Sequence, residues 1–186
     1  TLLAPVPAAL VSCGTLEKPN ALTIAWTGIT CSDPPMTYIS VRPERYSYDI
    51  IKESGEFVIN LTSGAMARAT DFCGVRSGRE MDKLAATGLT VEPAKEIAAP
   101  VIAQSPLALE CRVKQIIPLG SHDMFLAEIV AVDVEERLLG EAGKLHLEKA
   151  GLMAYSHGEY FAMGKKIGSF GYSVRKKRPK KPTGKR

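Results

Sequence analysis

The chain has 186 residues, 45% hydrophobic and 24% charged, which fits one globular domain large enough to bury a core. No apolar run approaches the about 20 residues of a membrane-spanning helix, so an integral membrane protein is not expected. The formal charge of +4 is uneven, because eight of 24 basic side chains fall in residues 174–186 and leave 16 basic against 20 acidic groups before them. We therefore predict a single domain over residues 1–173 and a basic, flexible tail over residues 174–186.

The two ends of the chain each allow two interpretations. The first 13 residues are apolar, but they lack a basic segment and contain Pro5 and Pro7, so a strand over residues 5–13 is favoured over a targeting segment. The tail could bind nucleic acid or another anionic surface. Its Pro179, Pro182 and Gly184 favour a solvated terminus, and nucleic acid is not expected as a partner.

The four cysteines are widely and irregularly spaced. None of them pairs with another at the spacing of a metal finger or a redox motif, so no metal site is predicted. Free thiols without a secretory segment indicate a reducing, cytoplasmic location. Cys31 and Cys73 precede a turn and a glycine, which predicts more exposure than for Cys13 and Cys111.

Two strands and a helix follow the first strand. Residues 21–26 and 36–41 have strand-like composition, and the turn between them contains Pro34 and Pro35, which cannot continue a strand ladder. Helical spacing of apolar side chains predicts a helix over residues 45–54 that ends at Gly55.

The rest of the chain is mainly strand. Alternating side chains over residues 107–118 and 125–134, joined by a loop, predict a long hairpin with one apolar and one polar face. The remaining predicted segments are a buried strand over 57–61, helices over 65–72 and 79–86 around a loop at 73–78, short strands at 89–91, 153–155 and 160–162, and a final short piece at 168–172. This succession predicts a mainly β fold, a β-barrel with short helices, in which closure pairs the edges of the hairpin.

A concentration of cationic and hydroxyl side chains marks the start of the predicted first helix. Arg42, Arg45, Tyr46 and Ser47 lie where a strand ends and a helix begins. Guanidinium groups and the free N–H groups of a helix start suit a phosphate, so we predict a phosphate-bearing cofactor here. The alternative is that both arginines are solvated surface ions.

Six segments in this order resemble the flavin reductase-like family. They are Asn20–Thr23, Asp33–Pro35, Arg42–Ser47, Gly55–Leu61, Ser77–Lys83 and Leu119–Phe125. The resemblance covers about residues 5–172 and is strongest to flavoredoxin and the flavoprotein ferric reductases. It implies an FMN-binding split barrel of Greek-key type that forms a homodimer and binds FMN without a covalent bond, near the subunit interface.

The resemblance also implies roles for individual residues. Thr23, Ile24, Ala25 and Trp26 would line the isoalloxazine ring, and His122 would act near the nicotinamide or the electron acceptor. The group around the ribityl phosphate would be Ser40, Val41, Arg42, Arg45, Tyr46, Ser47, Ser77 and Lys83. The residues alone leave alternatives open: Trp26 could be a core residue, Lys83 a surface ion and His122 a turn residue.

The sequence is compatible with three functions. The resemblance implies an oxidoreductase that passes electrons from NADH or NADPH, or from a protein donor, through FMN to a small-molecule or protein acceptor. The first alternative is an electron carrier of the flavoredoxin type without nicotinamide chemistry, and the second is an anionic-polymer binder acting through the tail. Residues 77–83 and 152–186 are more similar to members that keep flavin as a prosthetic group than to those that use it as a substrate.

Overall fold

A computed structural model describes residues 1–175, so nearly all of the predicted basic tail lies outside the described residues. The strands are β1 (Val6–Pro7), β2 (Ala9–Gly14), β3 (Pro19–Ile24), β4 (Thr27–Ser32), β5 (Pro35–Val41), β6 (Glu56–Leu61), β7 (Val91–Glu92), β8 (Val101–Ile102), β9 (Leu107–Pro118), β10 (Asp123–Val134), β11 (Met153–Ser156) and β12 (Glu159–Ala162). The α-helices are α1 (Tyr46–Ser54), α2 (Ala67–Val75) and α3 (Lys83–Thr87). The mainly β prediction is confirmed.

A seven-stranded antiparallel sheet in the order β3-β2-β6-β9-β10-β5-β4 dominates the fold. Both strands of the long hairpin, β9 and β10, lie inside this order and are paired on both sides, as predicted. The two end strands of the sheet are β3 and β4. A small sheet of β1, β11 and β12 lies beside it.

The sheet curls into a barrel around one core. Leu22 and Ile24 on β3 pack in the same buried cluster as Ile39 and Val41 on β5, although four strands separate β3 from β5 in the sheet. The backbone N–H of Ser40 donates to the carbonyl of Trp26 at 3.0 Å, which brings the end of β3 beside β5. The barrel is therefore split along a seam between β3 and β5.

Residues at the helix ends explain where α1 ends and where α3 begins and ends. Gly55 ends α1 with φ 70°, and its N–H donates to the carbonyl of Ile51. The Asp82 carboxylate accepts from the N–H of Ala85 and begins α3, and Gly88 ends it, also with φ 70°. The side chains of α2 and α3 pack over the outer face of β2 and β3 in a second buried cluster around Leu10 and Cys73. The expected exposure of Cys73 is wrong, because α2 directs this thiol into the cluster.

The structure corrects several element boundaries. Residues 27–32 form the strand β4, which the sequence did not predict, because this end strand buries little apolar surface and so lacks a clear alternation. Helix α2 continues to Val75, into the predicted loop, and α3 begins at Lys83 rather than at Arg79. Residues 168–172 form no strand.

Glu110 also departs from the prediction. The alternation of β9 placed it on a polar face, yet Glu110 is fully buried. Its two carboxylate oxygens accept from the backbone N–H groups of Lys95 and Glu96, each at 2.8 Å. A buried carboxylate is tolerated here because it satisfies two donors of the connector after β7, a requirement that arises far away in the sequence.

Candidate functional site

Two adjoining clefts lie at one end of the barrel. The seam cleft, of about 490 Å³, lies over the seam between the exit of β3 and the end of β5. The corner cleft, of about 450 Å³, lies between the corner that joins β5 to α1 and the turn at residues 76–80. The two clefts share four lining residues and therefore adjoin: Leu22, Thr23, Arg45 and Gly74.

Aromatic side chains form the walls of the seam cleft. The rings of Trp26 and His122 lie against each other with centroids 4.5 Å apart and planes inclined by 39°. On the β11–β12 hairpin, the rings of Tyr155 and Tyr160 meet edge to face at 5.4 Å. Trp26 is 42% exposed and is therefore not a core residue. This cleft suits a planar ligand.

The surroundings of His122 favour the neutral form of its imidazole. Burial in the seam cleft lowers the pKa of its imidazole below 6.5, and the positive charge of Arg42 lowers it further. The Nδ1 atom of His122 lies 3.0 Å from Oγ of Ser121. The imidazole can therefore present a hydrogen-bond donor or acceptor to a ligand without adding charge to the cleft.

The corner cleft concentrates cationic groups. Arg45, Arg76, Arg79 and Lys83 line it, against two acidic residues, Glu44 and Glu80. Tyr46 and Ser47, in the first turn of α1, lie on the same wall, and no side chain of the described residues caps this helix start. Uncapped N–H groups and a surplus of positive charge favour an anionic ligand.

Lys83 is the most informative of these cations. It is only 5% exposed, and its Nζ donates to the carbonyl of Cys73 at 3.1 Å. None of the ion pairs among residues 1–175 includes Lys83. Burial lowers the pKa of its ammonium group. An anion in the cleft would stabilise a buried cation that is held by one neutral carbonyl oxygen.

Helix α2 contacts β3 closely where the two clefts meet. The hydroxyl of Thr23 donates to the backbone carbonyl of Thr70. A Cβ atom on Gly74 would lie 3.2 Å from the Cβ of Thr23, so a side chain here would require a small shift of Thr23. The Arg45 guanidinium reaches the carbonyl of Gly74 at 3.5 Å. Thr23, Gly74 and Arg45 thus form the boundary between the two clefts.

All thirteen residues predicted from the sequence line one or both of these clefts. The seam cleft contains Thr23, Ile24, Ala25, Trp26, Ser40, Val41, Arg42, Arg45 and His122, and the corner cleft contains Thr23, Arg45, Tyr46, Ser47, Ser77 and Lys83. Ser40, Val41 and Arg42, which were grouped with the phosphate, thus lie on the side of Trp26 and His122. Their assignment to the phosphate stays a prediction.

Several lining residues were not predicted. Asp71, Tyr155 and Tyr160 reach the seam cleft from α2 and from the β11–β12 hairpin, and the Tyr160 hydroxyl donates to Asp71 Oδ1 at 3.3 Å. No local pattern marks these tyrosines, because their position depends on the pairing of β11 with β1. Arg76 and Arg79 lie on either side of the predicted Ser77 and line the corner cleft. Their positive charge beside Ser77 was the sequence signal that could have predicted them.

Comparisons with known proteins agree with this architecture. Residues 3–164 match the family model described as a flavin reductase like domain. The structure is similar to flavoredoxin of Desulfovibrio vulgaris (Miyazaki F), with a TM-score of 0.87, 33% identity and coverage of 94% of this chain and 96% of that one. Flavoredoxin from Methanosarcina acetivorans gives a TM-score of 0.84 at 28% identity, covering 93% and 94% of the two chains.

A third solved structure extends the likeness. It is an FMN-binding protein from Thermus thermophilus, with a TM-score of 0.78, 25% identity and coverage of 90% of this chain and 91% of that one. The split-barrel fold expected from the sequence is confirmed. Because the family model covers most of the chain, the protein belongs to the flavin reductase-like family.

Proposed function

We propose that this chain is an FMN-binding oxidoreductase that passes electrons from NADH, NADPH or a protein donor through bound FMN to an acceptor. One observation carries the proposal: an aromatic cleft and a cationic cleft adjoin at Thr23 and Arg45. FMN combines a planar ring with a phosphate that carries nearly two negative charges, and this pair of clefts fits both parts.

The residues of the corner cleft would hold the phosphate. Arg45 and Lys83 would supply charge, Ser47 and Ser77 would supply hydroxyl groups, and the first N–H groups of α1 would donate hydrogen bonds. The Ser47 hydroxyl already accepts from Nδ2 of Asn20 at 2.6 Å, which fixes the position of this side chain.

The residues of the seam cleft would orient the ring. The tilted rings of Trp26 and His122 offer an aromatic wall on one side, and the backbone of residues 23–26 offers hydrogen-bonding groups at the edge of the ligand. When bound, the flavin supplies the hydride and single-electron chemistry. His122 and the cation Arg42 both line the cleft, where Arg42 would favour anionic character in a ligand.

The test begins with the purified protein. We expect a visible flavin spectrum and release of FMN, rather than FAD, in one equivalent per chain after denaturation. Anaerobic addition of NADH or NADPH should then bleach the flavin absorbance. A colourless protein that takes up no FMN from solution would refute the proposal.

An electron carrier is the second candidate. Its support is the 33% identity to a flavoredoxin. It predicts that neither nicotinamide nucleotide bleaches the bound flavin, whereas a reduced protein donor does. The same anaerobic titration therefore separates an enzyme that uses nicotinamide from a carrier.

We also propose that the chain forms a homodimer in the cytoplasm. Support for the dimer comes from end strand β4 and its neighbourhood, where Trp26 is 42% and Ile29 71% exposed. The four cysteines are free thiols, which suits a reducing compartment. Light scattering should give twice the monomer mass, and cell fractionation tests the location. No helix within residues 1–175 is long and apolar enough to cross a membrane.

A further inference from the structure

Arg79 bridges the two walls of the corner cleft. Its backbone belongs to the turn at residues 76–80, but its Nη1 donates to the carbonyl of Glu44 on the opposite wall at 2.8 Å. The same guanidinium lies over the ring of Tyr46, 5.6 Å from its centroid. A charged hydrogen bond and a cation–π contact therefore connect this turn to the β5–α1 corner.

The turn that carries Arg79 is held in shape by further contacts. The N–H of Arg79 donates to Oγ of Ser77 at 3.2 Å, and the N–H of Glu80 donates to the Ser77 carbonyl at 3.2 Å. Gly78 packs against Asn20 and Tyr46 so closely that a Cβ atom would lie 2.7 Å from Cδ1 of Tyr46. The turn is thus fitted to the opposite wall before any ligand binds.

We infer that Arg79 is a latch over the corner cleft that slows the release of the phosphate end of the bound flavin. This inference rests on the proposed function. A ligand phosphate between Ser47 and Ser77 lies between the two walls that Arg79 connects. Widening the cleft breaks the contacts to Glu44 and Tyr46, so Arg79 is a positioning residue that prolongs the residence of FMN. Its presence favours flavin as a prosthetic group over flavin as an exchanging substrate.

Arg76 provides the matched comparison. It lines the same cleft and is exposed like Arg79, but its side chain makes no hydrogen bond within the described residues. Removing either arginine removes one positive charge from the cleft, and only the loss of Arg79 removes the bridge. The difference between the two variants therefore isolates the bridge from the general electrostatic attraction of the phosphate.

The experiment measures flavin release from the full-length protein by the return of free-flavin fluorescence after dilution. Wild type, Arg79→Ala and Arg76→Ala are each loaded with FMN and, separately, with riboflavin, which lacks the phosphate. We expect FMN to leave Arg79→Ala about tenfold faster or more than it leaves Arg76→Ala, the loss typical of a hydrogen bond to a charged group. Riboflavin release should be equal in both variants. Arg79→Lys, which keeps the charge and a donor, should restore part of the FMN residence time.

Two results would overturn the latch alone: equal acceleration of FMN release in the two alanine variants, or acceleration of riboflavin release in Arg79→Ala as large as that of FMN. The second result would indicate a general structural role. A wild-type protein that binds neither flavin would overturn the proposed function together with the latch, so the two failures can be distinguished.

Discussion

The corner cleft and the seam cleft share strand β3, but they are organised differently. In the corner cleft, side chains from both walls are fixed before a ligand arrives, as in the Asn20–Ser47 hydrogen bond and the Arg79–Glu44 bridge. In the seam cleft, partly exposed aromatic rings lie against each other, and the hydrogen bond from Tyr160 to Asp71 is longer, at 3.3 Å. Fixed groups suit a part of the ligand that stays in place, and open aromatic walls suit a face that exchanges partners. The following changes test this contrast.

Removing the arginines should have the largest effect. Arg45 lies where the clefts meet, so Arg45→Ala should weaken FMN binding by roughly 1.5–3 kcal/mol, the value of a hydrogen bond to a charged group. Arg42→Ala should have less effect on affinity if Arg42 acts only in the seam cleft, and the double variant should lose the most. Calorimetric titration with FMN measures each value.

Arg112 provides the control for the arginine variants. Its side chain is 49% exposed, as is that of Arg42, but it pairs with Glu56 on another part of the barrel. Arg112→Ala should bind FMN like the wild type. If the double variant also purified fully loaded with FMN, the assignment of the phosphate to the corner cleft would be wrong.

A methyl group at Gly78 should have the next largest effect. Because its Cβ would meet Asn20 and Tyr46, Gly78→Ala forces the turn away from the opposite wall, and overpacking of this kind costs typically about 1–3 kcal/mol. We expect weaker FMN binding and a lower unfolding temperature, measured by calorimetry. Gly64→Ala is the control, since its Cβ would meet nothing within 4 Å. Equal effects of the two substitutions would contradict a fitted corner cleft.

Lys83 should make FMN binding dependent on pH. Burial lowers the pKa of its ammonium group below 10.5, and a phosphate favours the charged form. FMN should therefore bind most tightly at pH values below the pKa of Lys83 in the free protein. Its affinity should fall as the pH rises through that value. The Kd for FMN measured from pH 7 to 10 tests this.

Lys83→Met should abolish this dependence, and riboflavin binding should not show it in either protein. A dependence of equal slope in the methionine variant would assign the titration to another group.

The smallest effect is expected in the seam cleft. Tyr160→Phe removes the hydroxyl that donates to Asp71 at 3.3 Å and keeps the ring, so FMN affinity should change by at most about 1 kcal/mol. If this hairpin borders the exchanging face, the rate of reduction by an electron donor should change more than the affinity does. Stopped-flow absorbance measures that rate. A large loss of FMN affinity would place the tyrosine among the groups that hold the cofactor.

Local signals in the sequence account for much of this architecture. Gly55 predicted the end of α1, and the alternation over residues 107–118 matched the bounds of β9. The cationic strand-to-helix junction predicted the corner cleft, because both arginines and the start of the helix lie within residues 42–47. The grouping of Ser77 and Lys83 with that junction came from the family resemblance.

What could not be predicted depends on contacts between distant segments. Glu110 is buried because the connector at residues 95–96 supplies two donors, and Tyr160 lines the seam cleft because β11 pairs with β1. Strand β4 was missed because an end strand with little burial has no periodic pattern to read. The bridge from Arg79 to Glu44 joins residues 35 positions apart through a backbone carbonyl, which no side-chain pattern reveals.

Strand β3 spans the distance between the two clefts. Asn20, at its beginning, fixes Ser47 in the corner, and Ile24, at its end, lines the seam. At about 3.3 Å per residue, these positions are roughly 13 Å apart along the strand. Deleting one residue between Asn20 and Thr23 would shorten this distance by one residue and turn Thr23 to the opposite face of the sheet. In the proposed complex, the number of residues in this one strand would thus set the spacing between the phosphate end and the ring end of the bound flavin.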